Sequence, residues 1–216
     1  MPSRAAFVRC APFGVFIALL ILGSLVPDVS PWLALLRAVI VALVLAWFWS
    51  DYRELREAPP VPASQWPLAV AAGFVVFVLW VGIDWDWAVV TRAGGFQPHL
   101  ADGSMHWTFA LGRFAGLALV VPVMEELFWR SFLMRWIERH DFQALAPRQV
   151  GLRAFLVTMV LFAIEHDRWL AGAIAGAVYG GLYMRSGNLW VAIVSHAVTN
   201  ATLGVWILAT KSWEFW

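Results

Sequence analysis

The chain has 216 residues, of which 62% are hydrophobic and 13% are charged. Soluble globular domains contain about 45–50% apolar and about 25% charged residues, so this composition excludes a secreted soluble enzyme and a disordered chain. The net charge of +1 offers no basic surface for nucleic acid. The composition therefore predicts an all-α, polytopic membrane protein in contact with the lipid bilayer.

Seven apolar stretches approach or exceed the roughly 20 residues that a membrane-spanning helix needs. They cover residues 12–26, 32–49, 66–83, 107–135, 152–166, 169–184 and 189–209. Helix-breaking residues lie between them, at 27–31, 59–62, 94–95 and 186–188. We therefore predict one integral-membrane domain, residues 1–216, built as a bundle of about seven helices, and we expect the first helix to be retained as a signal anchor.

Positively charged residues are distributed unequally between the predicted loops. With the N-terminus placed inside, nine of them lie on the cytoplasmic side: Arg4, Arg9, Arg53, Arg56, Arg135, Arg139, Arg148, Arg153 and Arg185. Three lie outside: Arg92, Arg168 and Lys211. Arg37 and Arg113 lie one to two turns inside the outer helix ends, from where their long side chains can snorkel outward. Because positive residues favour the cytoplasm, we predict a cytoplasmic N-terminus.

The fourth predicted helix carries an unusual group of charges. A charged side chain at the bilayer centre costs about 2.5–3.5 kcal/mol on insertion scales, so such a group needs a compensating reason. Glu126 and Arg130 are four residues apart and share a helix face, whereas Glu125 points about 100° away from Glu126. We therefore expect Glu126 to pair with Arg130 and to leave Glu125 free.

Two further polar groups interrupt later helices. His166 ends the fifth predicted helix, one turn after Phe162, and His196 shares a face of the seventh helix with Asn200. Counted from the predicted cytoplasmic helix ends, Glu125, His166 and His196 lie at depths of roughly 15, 21 and 10 Å. These similar depths predict a water-containing cavity inside the hydrocarbon region, nearer the cytoplasm.

The motifs Glu-Glu-x-x-x-Arg, Phe-x-x-x-His and His-x-x-x-Asn, in this order, resemble the CPBP family of intramembrane proteases. That family includes the type II CAAX prenyl endopeptidases and the bacterial Abi proteins. The resemblance lies within residues 107–209, and residues 1–106 form N-terminal helices outside it. The short, Trp-rich form also resembles the CAAX-protease-related proteins of bacterial exosortase systems, which implies a bacterial inner membrane.

The resemblance implies an intramembrane endopeptidase whose cavity opens toward the cytosol and the lipid. By position, Glu125 and His166 would activate the attacking water, and His196 and Asn200 would stabilise the oxyanion. The second glutamate and the arginine of the first motif would form a supporting ion pair. The implied substrate is a membrane-embedded or lipid-anchored protein or peptide.

The sequence leaves a choice between a metal-free site and a zinc site. Glu125, His166 and His196 are residue types that hold catalytic zinc, but they come from three helices without a local His-x-x-x-His pair. Asn200 is a poor zinc ligand, and we expect Glu165 to point toward the outer surface. We therefore favour a water activated without a metal and no other cofactor.

Two other functions remain open at this point. A non-catalytic scaffold or immunity protein of the same family would keep the polar core for packing, although polar contacts between membrane helices contribute only about 0.6 kcal/mol each. A proton-coupled transporter would also use buried Glu and His residues. It would need a pathway through the membrane and usually an internal repeat, which the sequence does not contain.

Overall fold

A computed structural model describes residues 3–26, 30–92, 95–100 and 102–216. Two predicted loops lie partly outside the described residues, at 27–29 and at Gly94. The described residues form α-helices and short helical turns, and their only β-type pairing is an isolated bridge between His99 and Met105. The predicted all-α membrane fold is confirmed.

Eight α-helices make up the described part of the chain. They are α1 Arg4–Leu25, α2 Ser30–Trp47, α3 Arg53–Arg56, α4 Gln65–Gly82, α5 Trp107–Glu138, α6 Leu152–Ile164, α7 Trp169–Ser186 and α8 Leu189–Thr210. Each of the seven predicted stretches coincides with one of the long helices, and only the one-turn helix α3 was not expected. Helix α1 begins well before the predicted residue 12, because the hydroxyl of Ser3 caps it and its first charged residues find partners outside the helix.

Four helices, α1, α4, α5 and α8, are long and apolar enough to cross a membrane. The apolar segments Trp32–Trp47 and Leu152–Ile164 are shorter. These helices are those of an integral membrane protein, whereas the count of seven spans stays a prediction.

The long helices run alternately up and down. We call the end of the bundle at which α1 and α8 begin the N-terminal end, and the opposite one the C-terminal end. At the N-terminal end, the Tyr52 hydroxyl donates to Val8 O and the Trp190 indole donates to Leu55 O. At the C-terminal end, Arg168 donates to the Asp84 carboxylate.

Helix α5 contains two π-helical segments, Gly116–Val120 and Leu127–Met134, on either side of the acidic pair. Such segments often occur at functional sites. In the first one, Val121 N donates to Gly116 O. The same spacing would pair Leu117 O with residue 122, but this residue is proline and has no N–H. The Leu117 carbonyl is therefore left for a partner outside the helix.

Three glycines of α7, one per turn, let it pack closely against α6. A Cβ atom on Gly172 would lie 3.3 Å from His166 Cβ, and one on Gly180 would lie 3.1 Å from the Phe155 ring. The glycine stripe thus packs inside the bundle and fixes α6 at the level of His166.

Candidate active site

Glu126 lies at the centre of a buried charge cluster. Its Oε1 atom is 3.1 Å from Arg130 Nη1 and 2.9 Å from His196 Nδ1. Arg130 also lies over the Phe162 ring at 4.4 Å, which gives its charge an aromatic neighbour in place of water. The expected neighbour of Glu126 is therefore present, and the structure adds His196 as a second one.

Glu125 has no partner of this kind. Its side chain is buried, and its Oε2 atom forms no hydrogen bond within the described residues. The nearest basic side chain is that of His196, whose Nε2 lies 4.0 Å from Glu125 Oε2. The imidazole of His196 therefore lies between two carboxylates, with Nδ1 toward Glu126 and Nε2 toward Glu125.

His166 is oriented by its own helix. Its Nδ1 donates to Phe162 O at 2.7 Å, because a carbonyl oxygen can only accept. In the neutral ring Nε2 is then the unprotonated nitrogen. The Trp80 ring meets the imidazole edge-to-face at 5.3 Å, and the partly buried side chain lines the cavity described below. His166 can therefore accept a proton at Nε2.

Asn200 is held by the irregularity in α5. Its Nδ2 donates to Leu117 O at 2.9 Å, the carbonyl that loses its helical partner at Pro122. The amide nitrogen carries two hydrogens, so one N–H remains available to a ligand.

Two polar residues that the sequence analysis missed hold His196 in place. The Tyr179 ring stacks on the imidazole at 4.7 Å, and its hydroxyl donates to Thr199 Oγ1 at 2.7 Å. Thr199 Oγ1 in turn lies 2.9 Å from Gly73 O of α4. Thr199 stands three residues after His196, a spacing that marks a neighbouring helix position. Tyr179 carries no comparable signal beyond being polar among small residues.

Glu165 corrects a sequence-based expectation. It was expected to point toward the outer surface, but its exposed side chain lines the same cavity as Glu125 and His166. Helix α6 ends at Ile164, so Glu165 and His166 lie in the turn that follows and not on a continuing helix. The rule that neighbouring helix residues diverge by about 100° therefore does not apply to them.

A cavity of about 360 Å³ brings the predicted residues together. It is lined by Glu125, His166, His196 and Asn200 and extends to Phe215 and Trp216 at the C-terminal end of the bundle. The cavity thus extends toward the end opposite to the one that carries most of the arginines, while its predicted side of the membrane stays a prediction.

The described residues contain no group of three or more His, Cys, Asp or Glu side chains that could hold a metal ion. The candidate zinc set of Glu125, His166 and His196 is thus not gathered around one point in this conformation. Each of these side chains does line the cavity, so a water molecule can reach all three separately.

The fold and the site define a helical membrane protein with a polar, partly unpaired cluster in an intramembrane cavity. Residues 106–202 match the family model described as type II CAAX prenyl endopeptidase Rce1-like. The matched segment contains all three motifs and confirms the family resemblance, although it covers a little under half of the chain. The match suggests a protease acting on a membrane-associated peptide or protein. No curated protein and no solved structure was found to match the chain.

Proposed function

We propose that this protein is an intramembrane endopeptidase that hydrolyses a peptide bond of a membrane-embedded or lipid-anchored protein or peptide. The observation that carries the proposal is the free Oε2 atom of the buried Glu125, which faces a cavity shared with two imidazoles and an amide. A buried carboxylate without a cationic partner is costly to keep, which favours a chemical role over a packing role.

The first step of the proposed mechanism is the activation of water. Glu125 accepts a proton from a water molecule in the cavity while the oxygen attacks the peptide carbonyl carbon. His166 supports this step through its Nε2, which the bond from Nδ1 to Phe162 O leaves unprotonated. The proton taken from water is later given to the amine that leaves, so the carboxylate is regenerated.

The second step is the stabilisation of the oxyanion. The remaining N–H of Asn200 is one donor. His196 faces a carboxylate with Nδ1, so it can donate from Nε2 to the oxyanion only in its doubly protonated form. Glu125 Oε2 lies 4.0 Å from this nitrogen, which is beyond direct hydrogen-bond reach, so a proton would pass between them through a water molecule. Glu126 and Arg130 orient the imidazole and do not contact the substrate.

We propose that the water is activated without a metal. Glu126 is occupied by Arg130 and His196, so a zinc ion held by Glu125 and the two histidines would leave Glu165 as the remaining carboxylate to act as a base. The metal content of active protein tests this choice. Activity retained in protein that is free of zinc supports it. Stoichiometric zinc that is lost and regained together with activity would overturn it.

We further propose a bacterial inner membrane as the location, with the N-terminus in the cytoplasm. In this orientation the C-terminal end of the bundle, and with it the cavity, lies on the non-cytoplasmic side. A reporter that is active only outside the cytoplasm should work when fused after Trp216 and fail when fused within residues 140–148. The reverse pattern would place the cavity on the cytosolic side.

The test of the activity uses purified protein in vesicles together with a set of membrane-anchored peptides. Mass spectrometry should detect new termini, and cleavage in ¹⁸O-labelled water should place one heavy oxygen in each new carboxyl group. The Glu125→Gln variant provides the background. If the folded parent protein releases no more product than this variant across the peptide set, the chain is a non-catalytic relative.

A further inference from the structure

Two arginines from neighbouring helices line one small pocket at the C-terminal end of the bundle. They are Arg37 of α2 and Arg113 of α5. The helices lie side by side at this level, because Trp32 meets Phe109 edge-to-face at 4.8 Å. A Cβ atom on Gly116 would lie only 2.7 Å from Ala38 Cβ, so the missing side chain permits this close approach. The fold thus brings two guanidinium groups into one place.

Neither guanidinium forms an ion pair with a carboxylate of residues 3–26, 30–92, 95–100 or 102–216. Aromatic rings are their neighbours instead. Arg37 lies over Phe16 at 4.6 Å, and Arg113 lies over Phe96 at 5.4 Å and over Trp216 at 5.8 Å. Arg113 Nε is buried and has no hydrogen-bond partner among the residues that the structure describes. Two positive charges without a counter-charge are costly in such apolar surroundings, so we expect an anion to bind between them.

The size of the pocket limits what part of a ligand it can take. Its volume is about 20 Å³, which is room for one water-sized group. The pocket therefore receives one oxygen of an anion and not a whole molecule. A guanidinium group can bind two oxygens of one phosphate at once. Two guanidinium groups together therefore suit a phosphate better than a single point charge would.

The depth and the surroundings of the pocket indicate the source of that anion. Both arginines lie about 10 Å from the helix ends at Ser30 and Trp107, inside the hydrocarbon region, and their long side chains can reach toward its border with the headgroups. The side chains of Leu36, Val39 and Leu111 are 47%, 49% and 54% exposed on the same two helices. A phospholipid brings a phosphate to the border that these arginines can reach, and it covers apolar faces with its chains.

We propose that Arg37 and Arg113 bind the phosphate group of a membrane phospholipid whose acyl chains lie on the exposed faces of α2 and α5. Arg113 also lines the large cavity, so the bound headgroup lies at the edge of that cavity. The site does not depend on proteolysis, because neither arginine contacts Glu125, His166 or His196 in the hydrogen bonds and ion pairs of the described residues.

The experiment measures lipid binding to the purified full chain in a non-ionic detergent by native mass spectrometry. Phosphatidylglycerol is the probe, and diacylglycerol with the same chains is the phosphate-free comparison. We expect the parent protein and its Glu125→Gln variant to retain phosphatidylglycerol equally. Arg37→Gln and Arg113→Gln should each weaken its binding at least about tenfold, because each removes a charge-assisted hydrogen bond. Arg153→Gln, at an exposed position near the other end of the bundle, should change nothing.

Several results would overturn the proposal. They are unchanged phosphatidylglycerol binding in the double Gln variant, equally tight binding of diacylglycerol, and binding of a peptide carboxylate but not of the lipid. Inorganic phosphate that binds as tightly as the lipid would make this a free-anion site and would also overturn it. If a Gln variant does not fold, Arg→Lys at the same position keeps the charge without the fork, and it should still bind the lipid more weakly than the parent.

Discussion

Helix α5 takes part in two buried polar clusters that differ in how completely their atoms are paired. In the cluster toward the N-terminal end, Arg9 is 1% exposed and donates from Nε and Nη2 to the two oxygens of Glu54 at 2.7 and 2.6 Å. Its Nη1 donates to Ala5 O, and the Ser131 hydroxyl donates to Glu54 Oε1. Every charged group in this cluster has its partners within the cluster.

The cluster in the cavity is paired only in part. Glu126 shares one oxygen between Arg130 and His196, and its other oxygen, like Glu125 Oε2, has no hydrogen-bond partner within the described residues. Arg9 does not line the cavity of about 360 Å³, whereas Glu125 does. The first cluster joins α1, α3 and α5, and the unpaired acceptor of the second one is the basis of the proposed catalytic role.

The largest loss of proteolytic activity should come from removing the Glu125 carboxylate. Glu125→Gln keeps the size of the side chain but cannot take a proton from water, so proteolysis should fall by about 10²–10⁴-fold. The unfolding midpoint in detergent should stay that of the parent, because no bond is lost. Glu165→Gln is the matched control, since this carboxylate lines the same cavity but is exposed, and it should stay close to the parent. Full activity of Glu125→Gln would remove Glu125 as the base.

Glu126→Gln should reduce both stability and activity. It leaves Arg130 buried without its carboxylate, at a cost of about 3–5 kcal/mol in the free energy of unfolding. It also removes the acceptor that orients His196 at 2.9 Å, so the activity per folded molecule should fall as well. Denaturant unfolding and an activity assay on the same sample separate the two effects. An unchanged unfolding free energy would contradict the ion-pair assignment.

Arg9→Gln should reduce stability alone. It leaves Glu54 without its cationic partner, and we expect a loss of about 3 kcal/mol, since the Glu54 side chain retains 13% exposure to solvent. Activity per folded molecule should match the parent, because the cluster does not adjoin the cavity. Arg53→Gln breaks an exposed pair with Glu57 and should cost no more than about 0.5 kcal/mol. A selective loss of activity in Arg9→Gln would show that the two clusters are coupled.

The smallest expected effect is the loss of the stabilising contribution of Glu54 at acidic pH. Burial alone would raise the pKa of Glu54, but the hydrogen bonds from Arg9 and Ser131 outweigh it and hold this pKa below its ordinary value of 4.5. Because the pKa is lower in the folded state, the contribution of Glu54 to stability is present above pH 4.5 and is lost as the pH falls below it. The difference in unfolding free energy between the parent and Glu54→Gln should therefore shrink below this pH. A difference that is constant with pH would contradict the assignment.

The sequence by itself determined the helices and four polar residues that line one cavity, Glu125, His166, His196 and Asn200. A long apolar stretch in a bilayer is stable as an α-helix, because every backbone N–H and C=O group must then be paired within the segment. All seven predicted helices accordingly coincide with observed ones. The spacing of Glu126 and Arg130, four residues apart, fixed a shared face regardless of the neighbouring helices. The predicted helix boundaries were wrong where a helix end is held by residues far away in the chain. The start of α1 is such a place, because Arg4 pairs with Asp51.

Only the tertiary structure decided which atoms stay free and where the cavity lies. Glu165 lines the cavity because α6 ends one residue earlier, which local periodicity does not reveal. The bond from Asn200 to Leu117 depends on how α8 packs against the π-helical segment of α5, and the stacking of Tyr179 on His196 depends on the packing of α7. Such contacts join residues far apart in the chain, so their geometry follows from the close packing of helices and not from any local pattern.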